Sequence, residues 1–497
     1  MKNYSIWKDN IKLPEFNKLN KDIEVDILII GGGMTGINTL YQLSNTNLEV
    51  VLVEQNKIGM GVTANTTGKI TYLQDSIYEK IINNFDEVTA TKYLESQKTA
   101  IDLIVKIIKE ENIDCDLIKV PSYVYSNTLE EDEKLNELKK FLIDNNVKVI
   151  EGKSNLVEYK NMIGVEDTYL FHPLKYLKGL LKVLDKNIIY EDTSIIKMDK
   201  YDKGYICYTN NDKTIKANKV IIASHYPYFN LPFMFPLKGS LEKSYLCAST
   251  YKKDNISLIK YSDPYISIRS YLDKIIYLSN SHDNNTAVDD KEHFKELKSK
   301  LKELNLKPEY MWSNIDIMTS DSLPYIGKID EDLLIGTGYN TWGMTNSIIA
   351  SKIISDIIKN NQNEYIELFN PKRINFETLI GTLSNTIKNV EGLVNGMFTS
   401  NNNIEYKTLN NKEIAIYKDN LGNHLVYTKC PHKGCKLLFN EIEKTWDCPC
   451  HASRFDIDGK CISGPANKDI TVTEEYNELP QEELVDNIEI AIYKDNL

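Results

Sequence analysis

The stretch VDILIIGGGMTG, residues 25–36, decides how the larger part of this chain reads. A short apolar run ends in three glycines, and an apolar helical pattern follows through Ile37, Leu40, Tyr41 and Leu43. This is strand, glycine turn and helix. Gly31 permits the tight turn, Gly33 lets the backbone approach a pyrophosphate, and Gly36 allows close helix–strand packing. The helix start then presents unpaired N–H groups to the phosphates. A second strand, EVVLVE, ends at Glu54, 23 residues after Gly31. A carboxylate there accepts hydrogen bonds from a ribose 2′-OH and selects an unphosphorylated adenosine ribose. An ordinary glycine turn would not require that carboxylate, so the combination predicts dinucleotide binding.

Working outward, GMGVTANTTGKIT (59–71) is rich in Gly and Thr. It is not a Walker loop, because no glycine sits five residues before Gly68 and Ile70 follows the lysine. The segment resembles the second flavin-contacting segment of the D-amino-acid oxidase/glycine oxidase family of FAD enzymes. FHPLKYLKGL (171–180) resembles the family's helix start, and VIIASHYP (220–227) its strand and turn, with Ser224-His225 in place of the usual glycine. WSNIDIMTSDSLPYIGKID (312–330) and LLIGTGYNTWGMTNSIIASKIISDII (333–358) resemble the closing strand, loop and helix over the flavin ring. The resemblance runs from about residue 5 to 373. It implies FAD contacts from Gly31, Gly33, Met34, Thr35, Gly36 and Glu54 in the first segment. Gly61, Thr63, Thr67 and Ile195 come next, then Gly338, Trp342, Gly343, Met344 and Thr345. A helix N-terminus beside the N1–C2=O edge of an isoalloxazine would stabilise the anionic reduced flavin.

The middle of the chain alternates helical periodicity (90–115 and 129–146) with strand patterns (118–126, 240–251 and 264–281). Strands inserted between dinucleotide-binding segments suggest a separate substrate domain, in the family a largely antiparallel sheet. The expected FAD-binding parts are 1–90, 151–235 and 320–373, with substrate-domain parts 91–150 and 236–319. Only three arginines, Arg269, Arg373 and Arg454, accompany 56 lysines. Arg269, within DPYISIRSY, is the candidate for holding a substrate carboxylate bidentately, against a structural ion pair or a surface strand residue as the plainer readings. Hydride transfer to a flavin needs no obligatory side-chain base, since the chemistry belongs to the cofactor.

The C-terminal signal is CPHKGC at 430–435, then CPCH at 448–451. Four of the eight cysteines fall within the 21 residues 430–450, whereas Cys115, Cys207, Cys247 and Cys461 are scattered. Clustering suggests a metal site. Zinc can use Cys₂His₂, but Cys435 and Cys450 then have no role. The boxes, Ser453 and the loop SGPA (463–466) resemble the Rieske [2Fe–2S] fold over about 401–475. That resemblance makes Cys430 and Cys448 the ligands of one iron and His432 and His451 those of the other. It also implies a Cys435–Cys450 disulfide, which is unusual in a reducing compartment. Ala452 stands where respiratory Rieske proteins have Gly, and Phe455 where they have Tyr. Losing a hydroxyl donor to a ligand sulfur lowers the potential. The other histidines, His172, His225, His282, His293 and His424, form no H-x₄-H pair, which argues against a Rieske oxygenase.

Residues 375–398 read as an amphipathic linker helix within 374–400. EIAIYKDNL occurs at 413–421 and again at 489–497, within a tail spanning 476–497. A net charge of −12 argues against nucleic acid or anionic membrane as the main partner. No apolar run is long enough to span a bilayer, and the N-terminus has no secretory h-region, so the expected location is the cytoplasm.

The fold expected is therefore an α/β Rossmann-like FAD-binding domain, an α+β substrate domain and a small all-β Rieske domain. The function expected is an FAD-dependent dehydrogenase taking a hydride from a small amine or amino acid. Electrons would pass singly through the Rieske cluster to an external acceptor. The alternatives are a reductase with reversed electron flow, or a redox relay or sensor without a turnover substrate.

Overall fold

A computed structural model describes residues 1–185, 188–227, 238–252, 255–284, 290–373 and 404–472. The expected linker helix and the second EIAIYKDNL copy lie outside the described residues. The quoted stretch forms the strand Ile23–Ile30 and the helix Met34–Leu43. The strand is central in an eight-stranded sheet, between Thr214–Ile222 and Val50–Val53, both parallel to it. Leu333–Thr337 adds a further parallel strand on Thr214–Ile222. Where both faces of these strands are covered, as at 27–30, 220–222 and Val50–Val53, the run is continuously apolar. All four residues of Val50–Val53 are buried.

The second eight-stranded sheet runs, in order, Pro308–Thr319, Gly239–Thr250, Lys274–Asp283, Ile266–Tyr271, Ser257–Lys260, Ser122–Ser126, Asn161–Val165, Val149–Glu151. All its pairings are antiparallel except Ser257–Lys260 with Ser122–Ser126. The 264–281 pattern is a hairpin of two strands, turning at Leu272 in the left-handed conformation. Two expected boundaries move. Residues 161–165 pair with Ser122–Ser126 and so belong to the second sheet, not to a second FAD-binding part. The helix Glu87–Glu110 packs on Gly343–Lys359, with Gln97 Nε2 donating to Asn346 Oδ1 at 2.9 Å, so it joins the dinucleotide side.

The C-terminal domain has a three-stranded sheet, Ile404–Leu409, Lys412–Asp419 and Gly422–Tyr427. The first EIAIYKDNL copy forms the middle strand and its turn. Four short antiparallel strands follow, Leu438–Asn440, Thr445–Asp447, Arg454–Phe455 and Cys461–Ser463. Trp446 and Phe455 are buried in its core with Val426 and Leu437.

This domain docks on the second sheet and on the lip of the first. Lys243 Nζ lies 2.8 Å from Asp447 and 2.7 Å from Asp290. Arg454 pairs with Asp447 at 3.1 Å and Glu443 at 2.9 Å. Asn284 Nδ2 donates to the Cys448 and Pro449 carbonyls, and Asn56 Nδ2 to the Ile462 carbonyl at 2.8 Å. Ala452 joins Tyr226, Leu241, Ile315 and Ile317 in a small apolar cluster across the junction. No helix of the described residues is long and apolar enough to cross a membrane.

Candidate active site and metal centre

The glycine turn is shaped as its sequence demands. Gly31 has φ +114°, and a Cβ there would meet the Ala223 carbonyl oxygen at 2.6 Å. A Cβ on Gly36 would come within 1.9 Å of the Gly31 carbonyl oxygen, so only glycine lets the helix lie this close. The helix has no side-chain cap and no acid in its first turn. Thr63 Oγ1 accepts from the Met34 N–H at 3.2 Å. Glu54 closes the turn from the next strand, accepting from Gly32 N at 2.8 Å and Asn56 N at 2.9 Å. Burial raises the Glu54 pKa, and these two N–H groups oppose the rise.

A cavity of about 490 Å³ opens over this turn. Gly31, Gly33, Met34, Thr35, Glu54, Gly61, Thr63 and Ile195 line it, as do Gly343 and Met344 from the closing helix. A glycine cradle, a helix N-terminus and a half-buried carboxylate against the turn suit a dinucleotide's pyrophosphate and ribose. Gly36, Thr67, Gly338, Trp342 and Thr345 do not line it. Gly36 serves packing, and Gly338 holds a turn at φ +73° where a Cβ would meet Thr319 at 2.4 Å. Trp342 is the N-cap of the closing helix, and Thr345 Oγ1 accepts from Gln74 at 3.2 Å.

Arg269 requires correction. It is 1 % exposed, and no part of it lines the cavity. Nη1 donates to the carbonyls of Thr67, Gly68 and Phe171 at 3.1, 2.6 and 3.0 Å, and Nε to that of Ser270 at 2.9 Å. The guanidinium clamps the backbone of the 59–71 segment and so cannot also grip a substrate carboxylate. Arg373 is likewise engaged, bidentate on Asp321 at 2.7 and 2.8 Å.

Several cavity residues had no site role in the sequence reading, although the departure at Ser224-His225 marked one of them. His225 lines it in the left-handed conformation, φ +62°, where the resembled family has glycine. Its ring hydrogen-bonds the Ile315 backbone, and burial lowers its pKa to about 4. Its Nε2 has no hydrogen-bond partner among the described residues. Tyr339, whose hydroxyl lies 2.8 Å from Thr35 Oγ1, also lines it. Beyond Trp312 and Asn314, on the same face of the second sheet, Asp316 and Glu242 are cross-strand neighbours. Burial, and then the Glu242 charge, raise Asp316 to about 7. Asp75 is also raised by burial, with the Lys80 charge opposing.

The cysteine boxes form two loops. Cys430 N donates to the Cys435 carbonyl at 2.8 Å, and Gly434 turns at φ +77°. Cys448 N donates to the Ser453 carbonyl at 2.8 Å, and Ala452 turns at φ +58°. The Cys435–Cys450 disulfide joins the loops. Although the sulfurs of Cys435, Cys448 and Cys450 lie together, the disulfide removes two of them as ligands. What remains is Cys430, Cys448, His432 and His451. The Cys448 thiol hydrogen-bonds Cys430, which pulls Cys430 down to about 7 and pushes Cys448 up. The histidine rings lie 4.8 Å apart, at 85° to each other. Burial holds them neutral, with pKa values of about 4 for His432 and about 3 for His451. The Nδ1 atoms of both are buried without a hydrogen-bond partner among the described residues. Two sulfurs and two orphaned imidazole nitrogens are the donor set of a Rieske [2Fe–2S] cluster. The SGPA loop covers them: a Cβ on Gly464 would meet Ser453 Cα at 2.5 Å, and Ala466 N donates to Ser453 Oγ at 3.1 Å.

The two sites share one space. His451, Ala452 and Arg454 line the same cavity as the glycine turn, and the His451 ring lies 6.1 Å from that of Tyr226.

Comparisons with known proteins agree with this geometry. Residues 26–357 match the model of the DAO family, FAD dependent oxidoreductase, and residues 397–477 that of the Rieske [2Fe-2S] domain. The Bacillus subtilis (strain 168) protein YhfW, whose name describes a Rieske 2Fe-2S iron–sulfur protein, is 31% identical over 93% of this chain and 96% of its own length. Gamma-glutamylputrescine oxidoreductase of Escherichia coli (strain K12) is 22% identical over 71% of this chain and 88% of its own. Among solved structures, glycine oxidase from Geobacillus kaustophilus has a TM-score of 0.58 at 16% identity, covering 71% of this chain and 99% of that one. L-proline dehydrogenase from P.horikoshii has a TM-score of 0.60 at 17% identity, covering 71% and 98%.

Proposed function

Because the chain belongs to the DAO family of FAD dependent oxidoreductases and carries a C-terminal Rieske [2Fe-2S] domain, we propose that it is a dehydrogenase of a small amine or amino acid. The substrate's electrons leave singly, by way of the Rieske domain, to an external acceptor. The observation that carries this reading is the single cavity lined by both the glycine turn and the Rieske histidine His451.

FAD, when bound, supplies hydride acceptance, and a Rieske cluster supplies one-electron carriage. The protein's own groups do the rest. Gly33 and the first turn of the Met34–Leu43 helix would hold the pyrophosphate by backbone N–H groups, Gly31 turning the chain while its own N–H stays on the Val53 carbonyl, and Glu54 would take a ribose hydroxyl. Gly343 and Met344 bring a second uncapped helix N-terminus to the cavity, where it favours developing negative charge. Cys430, Cys448, His432 and His451 hold the cluster. The buried Lys243–Asp447–Arg454 network keeps the two domains in register, so that Tyr226 stays against His451.

Among the two classes, amines are favoured. All three arginines are engaged elsewhere, leaving no guanidinium for a carboxylate. Asp316, which accepts from the cavity-lining Asn314 at 3.2 Å, and its cross-strand neighbour Glu242 instead supply carboxyl oxygens that can accept from an ammonium group.

The test is anaerobic. The purified protein is mixed with a panel of amines and amino acids while flavin absorbance and the EPR signal of the reduced cluster are followed together. One compound should bleach the flavin, with the EPR signal following. If none does while a chemical reductant reduces both centres, the dehydrogenase reading fails and the reductase or relay alternatives take its place. Oxygen uptake matching substrate loss would make the protein an oxidase instead.

A further inference from the structure

The two Rieske histidines stand in different surroundings. His451 is 8 % exposed, lines the shared cavity and neighbours Tyr226. His432 is half-buried and lies outside that lining, while Pro431, Lys433 and Gly434 around it are exposed. One histidine serves the interior and the other reaches the surface.

The surface around His432 is basic. Lys433 is adjacent in sequence, and its charge acts on both histidine rings. Lys429 is exposed one residue before Cys430, and bridges to Lys436 across the loop. Lys436 pairs with Glu413 at 3.2 Å, whereas Lys429 and Lys433 are in no ion pair among the described residues. Residues 429–436 carry three lysines and no Asp or Glu, in a chain whose net charge is −12. The loop is thus locally basic on an acidic molecule, and its two unpaired lysines flank its outward histidine.

The geometry points to the His432 rim, with Lys429 and Lys433, as the docking surface for a small one-electron carrier protein with an acidic face. This rests on the single-electron exit proposed above. In the step, the Rieske domain is oxidised by one electron and the carrier reduced by one. Opposite charges raise the encounter rate and fix the orientation, and both effects weaken with salt. Electrons therefore enter by the His451 side and leave by the His432 side, so carrier and substrate do not compete for one opening.

The experiment uses photochemically reduced holoprotein, so its result does not depend on which substrate is oxidised. Stopped-flow oxidation is followed with two carriers of opposite charge, the acidic blue-copper protein plastocyanin and the basic cytochrome c. With plastocyanin the second-order rate constant should fall as ionic strength rises. At low salt, Lys429→Glu/Lys433→Glu should lower it by about ten-fold or more. The Lys429→Gln/Lys433→Gln pair should fall between, after each midpoint potential is measured and rates are compared at equal driving force. A plastocyanin rate that climbs with salt, as the net charge alone would dictate, overturns the proposal. So does a rate unchanged in both double variants, or faster reaction with cytochrome c that the same variants accelerate.

Discussion

The two cofactor sites of this molecule are built in opposite ways. The Rieske site takes all its donors from two loops spanning residues 430–451, tied by a disulfide. The FAD cavity takes its walls from segments scattered from Asn3 to Gly464, held together by sheet register, helix packing and hydrogen bonds between distant segments. A metal site needs a few donor atoms, which two short loops can supply. A dinucleotide needs a long shaped surface, which no single segment can supply. The first should therefore fail completely and locally when one donor is lost, and the second gradually.

The largest effect follows from that contrast. His451→Ala should abolish the cluster, read as loss of bound iron and of the Rieske EPR signal, while FAD absorbance and stoichiometry stay unchanged. Loss of FAD together with the cluster would show that the two sites are not independent. Next comes the covalent tie. Cys435→Ser/Cys450→Ser frees a loop of about 15 residues, for which a loss of roughly 3 kcal/mol is expected. Thermal melting followed by cluster absorbance should shift down, while melting followed by flavin fluorescence moves less.

On the FAD side, Gly36→Ala forces a methyl against the Gly31 carbonyl. Overpacking of about 1–3 kcal/mol is expected, which is roughly ten- to hundred-fold in FAD affinity. The Rieske EPR signal should be untouched. An unchanged FAD dissociation constant would mean that the turn does not grip the pyrophosphate.

Much of this was legible because both motifs are local. The 25–36 stretch carries its strand, turn and helix in consecutive residues, and the cysteine boxes carry their donors likewise. The resemblance to the Rieske fold implied the disulfide before the two sulfurs were seen together. What stayed hidden depends on contacts distant in sequence. Arg269 looked like a substrate ligand until its partners, Thr67, Gly68 and Phe171, were placed around it. Lys243 and Asp447 are 204 residues apart, and nothing in either local sequence announces their pairing. Thr67 and Thr345 sit in the right segments, but the direction of each side chain is set by packing that spacing does not encode.

Charge sharpens the comparison again. At the domain junction burial pushes Asp447 up, but Arg454 and Lys243 outweigh it and hold its carboxyl below the usual range. On the FAD side Asp316 is raised to about 7 by burial and by Glu242. A carboxyl raised on folding binds protons more tightly in the native state. Its stabilisation is present below its ordinary pKa and lost as pH rises through about 7. Asp316→Asn should therefore gain thermal stability over the parent progressively between pH 4 and 7, with the gain level above that. Asp447→Asn should lose stability at neutral pH, a loss that shrinks on acidification. Equal and pH-independent shifts in the two variants would remove the distinction.

The smallest effect concerns the one residue where the two regions trade against each other. Ala452 adopts φ +58°, a conformation that costs a non-glycine residue on the order of 1 kcal/mol. Its methyl is buried against Tyr226, Leu241, Ile315 and Ile317, all from the other side of the junction. A buried methyl contributes about 0.8 kcal/mol, so strain and contact nearly cancel. Glycine at this position suits the loop alone, and alanine suits a loop that must dock. Ala452→Gly should leave global stability within about 1 kcal/mol of the parent, by those two opposed amounts. Docking has only the lost contact to register, so hydrogen exchange at the 451–453 amides and at Tyr226 should quicken. Electron transfer between the centres, followed by EPR after substrate mixing, should slow. If both stay at parental values, the methyl is incidental, and the buried Lys243–Asp447–Arg454 network alone holds the domains together.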